Sequence, residues 1–115
     1  MSYDIRICVK ADGLDKYVVY DIPEYDTPTY NLGEMFRVCM DWDYEQGEYY
    51  KCSEIIGNIE KGITELKTNR EKYKCYEPSN GWGNVDSAIE ALESARVCIY
   101  ECAENIPINH LYFRW

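Results

Sequence analysis

The sequence predicts an α+β fold: a small antiparallel sheet, made of an N-terminal hairpin plus a C-terminal strand, packed against three helices. Three observations carry this reading. Residues 3 to 9 alternate between apolar and polar side chains, the middle of the chain repeats apolar residues at helical spacing, and the last five residues alternate again. The chain has 115 residues, the length of one core, so residues 1–115 are read as a single domain.

Tyr3, Ile5, Ile7 and Val9 fall on one face of the first strand, with Asp4, Arg6 and Cys8 on the other. Asp12-Gly13 is a turn signal, and Lys16 to Ile22 is a second β-branched and aromatic run, so the two segments form a hairpin. Pro23 ends it, and residues 24 to 29 are a loop. Asn31 is expected to cap the first helix. Glu34 would complete a capping box, and Tyr30 and Met35 are placed as a hydrophobic staple. Ser53 is expected to cap a second helix carrying Ile55, Ile59, Ile63 and Leu66, with Gly57 and Gly62 as sites of close packing. Thr68-Asn69 ends or bends it, and residues 78 to 83 are an irregular loop. A third helix starts at Asn84 or Asp86 and stops before Asn105 and Pro107. Leu111 to Trp115 then supplies the third strand, because a lone hairpin is only marginally stable.

Composition narrows the function classes. The net charge is −9, from 21 acidic and 12 basic residues, which argues against ordinary binding to a phosphate backbone. No apolar run approaches the roughly 18 residues of a membrane span and the N-terminus lacks a hydrophobic signal core, so a cytoplasmic location without membrane contact is expected. The six cysteines are accordingly read as free, buried thiols. Cys98-x-x-x-Cys102 with the lone His110 is the nearest approach to a zinc set but lacks the usual paired spacing, so no metal and no cofactor are expected.

Other local features carry candidate sites. Asp41, Asp43, Glu45 and Glu48 alternate as in a calcium loop, but the required glycine and terminal carboxylate positions hold Gln46 and Cys52. These four acids are instead a candidate partner-binding surface. Lys67, Arg70, Lys72 and Lys74 form a basic island. Asn80-Gly81-Trp82-Gly83 sets a tryptophan between two glycines, either as a plug in the core or as an aromatic platform. No hydrolase elbow, phosphate loop or zinc-protease motif occurs, so the protein is read as a non-enzyme.

Thr29-Tyr30-Asn31 followed by Met35-Phe36-Arg37, and Pro78-x-Asn80-Gly81-Trp82-Gly83 further on, resemble an uncharacterised family of small proteins from bacteriophages and bacteria. The resemblance covers about residues 27 to 103 and implies a phage accessory role. Accessory proteins of that kind are often counter-defence factors acting in the host cell, which frames two readings. In the first, Tyr30, Asn31, Arg37, Arg70 and the Asn80 to Gly83 loop sequester a small nucleotide-like host signal. In the second, the acidic surface mimics nucleic acid and inhibits a host CRISPR or restriction nuclease. Aromatic segments around Trp42, Tyr49-Tyr50 and residues 112 to 115 add homo-oligomerisation as a further expectation.

Overall fold

The computed structural model describes residues 1–11 and 15–115. The Asp12-Gly13 turn lies outside the described residues. Four strands, β1 (Arg6–Lys10), β2 (Tyr17–Asp21), β3 (Tyr49–Lys51) and β4 (Leu111–Arg114), form one antiparallel sheet in the order β2-β1-β4-β3. The helices are α1 (Gly33–Met40), α2 (Cys52–Thr68), the four-residue α3 (Arg70–Tyr73) and α4 (Val85–Ala103). The expected α+β class therefore holds, with the N-terminal hairpin and the C-terminal strand paired as the alternation requires.

The departures are local and have physical causes. Strand β3 adds a fourth strand to the three expected. It is three residues long, and its pairing with Tyr112 to Arg114 supplies the order that its own pattern cannot. Extended pairing runs up to Lys51, so α2 begins directly at Cys52 and Ser53 sits inside its first turn rather than capping it. At α1 the chain enters through a 3₁₀ turn over Tyr30–Leu32. Thr29, not Asn31, supplies the capping oxygen, accepting from the Asn31 N–H at 3.3 Å. Tyr30 packs edge-on against Tyr3, 4.7 Å between ring centres. Asn84 does cap α4: its side chain accepts from the Ser87 N–H while Ser87 Oγ accepts from the Asn84 N–H, each at 2.8 Å.

The core lies between the inner face of the sheet and α1, α2 and α4. Its densest part is aromatic. Trp115, the last residue, is fully buried and stacks on Tyr44 at 4.4 Å, with Tyr3, Phe36 and Phe113 at 5.1 to 5.2 Å. The Tyr3 and Tyr44 hydroxyls share a 2.8 Å hydrogen bond inside this box. The aromatic segments that suggested oligomerisation are thus largely internal: Phe113 and Trp115 belong to the core, and Trp42 and Tyr50 pack half-buried against it. The outer face of the sheet is tyrosine-rich, with Tyr17 stacked on Tyr49 at 3.9 Å and edge-on to Tyr112 at 4.9 Å.

The two glycines of α2 separate cleanly. A Cβ on Gly62 would stand 2.6 Å from Met40 Cγ, 3.0 Å from Leu92 Cδ1 and 3.3 Å from Cys39 Sγ, so this position lets α1, α2 and α4 close on one another. Gly57 has nothing within 4 Å. Gly57→Ala should therefore stabilise the protein by about 0.5–1 kcal/mol through helix propensity. Gly62→Ala should destabilise it by about 1–3 kcal/mol through overpacking. Urea unfolding of the two variants checks the opposite signs.

Candidate functional site

Two surfaces stand apart from the core. The first is the end of the molecule where the Asn80 to Gly83 loop meets the entry of α1. Gly81 and Gly83 have φ of 77° and 105°, backbone that other residues rarely adopt. A Cβ on Gly83 would lie 2.9 Å from Thr29 Cγ2 and 3.0 Å from Leu32 Cγ and Cδ2, so the glycine lets the loop close against the turn carrying Tyr30 and Asn31. Trp82 is not a core plug. It is 69% exposed at the loop tip, with its N–H bonded to Asn80 Oδ1 at 2.9 Å.

Of the remaining residues assigned to this end by sequence, Asn31 is exposed and uses its backbone N–H on Thr29, while Tyr30, Arg37 and Arg70 are already engaged through their side chains. The Tyr30 hydroxyl accepts from Gln46 Nε2. Arg37 lies over the Tyr44 ring at 4.3 Å and donates from Nε to the Tyr44 carbonyl at 3.2 Å, which closes the loop after α1. Arg70 pairs with Asp86 at 2.7 Å. Two residues of the basic island are paired in the same way, Lys67 with Glu93 at 2.9 Å and Lys74 with Glu71 at 3.0 Å, while Lys72 sits over the Tyr73 ring without a carboxylate partner among the described residues. In the acidic loop, Asp41 pairs with Lys61 at 3.5 Å and Asp43 with Arg37 at 3.8 Å, while Glu45 and Glu48 are exposed.

The second surface is a groove of about 860 Å³ between α4 and the segment that follows β2. A hydrogen bond from the Tyr25 N–H to Ser94 Oγ, 2.8 Å, holds the segment against the helix. The lining is acidic: Asp21, Glu24, Asp26, Asp86, Glu90, Glu93 and Glu101, with no lysine or arginine. Asp26, Asp86 and Glu93 have cationic partners outside the groove, Arg6, Arg70 and Lys67. Among the described residues, Asp21, Glu24, Glu90 and Glu101 make no ion pair. Ile22, Pro23, Tyr25, Ile89 and Val97 give the groove an apolar component, and Ile22 and Val97 are 46% and 50% exposed. Burial and the nearby Glu90 carboxylate push the Tyr25 hydroxyl above its ordinary pKa.

The sequence reading missed this groove. Its signal was present: Asp86, Glu90 and Glu93 recur at spacings of four and three, which puts them on one face of α4. At its inner end the groove reaches Cys98, which sits beside Cys102 and Asp21. Five of the six thiols are buried as expected, but Cys75 is exposed.

No known family model, curated protein or solved structure matches the chain. No helix among the described residues is long and apolar enough to cross a membrane.

Two measurements check these placements. Trp82→Ala should change stability by less than about 0.5 kcal/mol, the range for exposed positions, and should remove the most acrylamide-accessible part of the tryptophan fluorescence. Burial raises Cys39 and Cys52 to about 12 and also raises Cys8, Cys98 and Cys102. At pH 8 Ellman's reagent should therefore react rapidly with one thiol, lost in Cys75→Ser, and with six in denaturant. A second fast thiol in the native protein would contradict the described burial.

Proposed function

We propose that this protein is a non-catalytic binding protein whose α4 groove takes a basic segment of a partner protein. The observation that carries the reading is the unpaired acid in that groove, Glu24, Glu90 and Glu101 beside exposed Ile22 and Val97. Carboxylates without cations select lysine or arginine, and the apolar rim adds anchoring area for aliphatic stems. In the phage setting implied by the motif resemblance, the partner is the basic nucleic-acid channel of a host nuclease. The protein then acts as an acidic inhibitor in the host cytoplasm.

A second reading rests on a separate observation, the exposed Trp82 ring on a loop held by two left-handed glycines. There the indole stacks on the base of a nucleotide-like host signal, with the Asn80 amide nitrogen beside it and Tyr30 and Asn31 on the adjoining turn. The ion pairs of Arg70, Lys67 and Lys74 weigh against it, because a phosphate at those residues would have to displace Asp86, Glu93 or Glu71.

The two readings separate by charge reversal. With a fluorescent arginine-rich amphipathic peptide as probe, anisotropy should show binding that weakens as salt rises. Glu24→Lys with Glu90→Lys should weaken it at least tenfold, whereas Glu45→Lys with Glu48→Lys should leave it within twofold. Equal loss in both double variants would reduce the groove to general acidity. Nucleotide binding that vanishes in Trp82→Ala, with no peptide binding, would favour the second reading.

A further inference from the structure

The geometry points to a metal site at the inner end of the α4 groove, in which Asp21, Cys98 and Cys102 bind a thiophilic divalent cation, zinc by ligand preference. The site does not depend on the partner-binding reading. Cys98 and Cys102 are four residues apart on α4 and so project from one face, both buried at 5% and 2% exposure. Asp21 is the last residue of β2. It pairs with Ile7 beside a register irregularity and is exposed, with its Oδ2 on the α4 side against Cys102. One ligand atom from each of the three residues lies within 4.8 Å of the others, and Asp21 Oδ2 is 3.9 Å from Cys102 Sγ.

Tetrahedral zinc, with bonds of about 2.3 Å to sulfur and about 2.0 Å to oxygen, sets its ligands about 3.5–3.8 Å apart. The ligand atoms, within 4.8 Å of one another, stand about an ångström from that spacing. Two thiolates and a carboxylate are a borderline-soft donor set, which favours zinc over calcium or magnesium. Asp21 and Cys98 line the groove, so water from it would complete the shell and the ion would enter that way. Asp21 Oδ1 already accepts from the Ile22 N–H at 2.8 Å, which orients the carboxylate and leaves Oδ2 toward the thiols. His110, the residue the sequence offered as a third ligand, is exposed in the turn before β4 and is not part of the cluster. Binding forms two sulfur–metal bonds and one oxygen–metal bond and releases the two thiol protons to solvent.

Cobalt is the probe. Titrating the reduced, metal-free protein with Co²⁺ should give the thiolate charge-transfer and tetrahedral d–d bands at one equivalent, discharged by Zn²⁺. Cys102→Ser and Asp21→Asn should each weaken Co²⁺ binding at least tenfold, while Cys75→Ser leaves it unchanged. Absence of the bands, or their loss in Cys75→Ser, would overturn the proposal. If the cysteine variant fails to fold, ¹¹³Cd bound to the unaltered protein decides the matter. Scalar coupling to the Cβ protons of Cys98 and Cys102 supports the site, and coupling to any other cysteine, or to none, rejects it.

Discussion

The hydrogen bond between the Tyr3 and Tyr44 hydroxyls, inside a box whose far wall is Trp115, ties together three distant parts of the chain. Tyr3 precedes β1, Tyr44 follows α1, and Trp115 follows β4. A buried hydroxyl without a partner costs about 1–3 kcal/mol, so each tyrosine needs the other in place. Each aromatic pair around Trp115 adds about 0.5–1.5 kcal/mol beyond its buried area. With Trp115 held, Phe113 and Leu111 fall on the inner face of β4, which sets the register of β1 on one side and β3 on the other. Strand β3 then leads straight into α2, and α2 meets α4 through Gly62. The position of α4, and with it both candidate sites along that helix, traces back to the box.

Against that background the acidic face of α4 is a local conflict. Like charges at helical spacing cost a few tenths of a kcal/mol each, and the core gains nothing from them. Arg70, Lys67 and Arg96 relieve the conflict at Asp86 and Glu93, but Glu90 and Glu101 stay unrelieved. A chain whose local choices otherwise agree with its fold departs from that agreement where something other than stability is selected. The unrelieved acids of the groove are such a departure, and they are the ground of the proposed partner site. In the loop Asp41 and Asp43 have cations while Glu45 and Glu48 do not, so the groove is set apart by the exposed Ile22 and Val97 beside its unpaired acids.

The elements whose signals are local were legible in the sequence. The alternation in residues 3 to 9, the Asn84 cap with Ser87, and the stripe of α2 from Ile55 to Leu66 each depend on neighbours within one turn or one strand. Strand β3 was not legible, because Tyr49–Lys51 is extended only through pairing with a strand some sixty positions on. Nor was the choice of Thr29 over Asn31 as cap, since burial of Leu32 draws the first turn into 3₁₀ geometry and shifts the cap back. The candidate sites divide in the same way. Spacing identified Cys98 and Cys102 as a pair, but only the β2 register brings Asp21 to them. The motif around Trp82 was visible, while its exposure was set by loop geometry that two glycines permit and do not dictate.

Asp21 also has a second reason to be where it is. Strand β2 is an edge strand, with Val18, Val19 and Tyr20 between 42% and 50% exposed, and a charge at the end of such a strand discourages edge-to-edge pairing. A residue in that role needs only a charge, and lysine would serve as well as aspartate. It gives no reason for two thiols to face it from the helix, where alanine or valine would fill the same space. The carboxylate alone thus has a structural role at the strand edge, and the proposed cation adds a reason for Cys98 and Cys102 to face it. Such an ion would tie the exposed edge of the sheet to α4 and so fix the inner end of the groove that the partner segment is proposed to occupy.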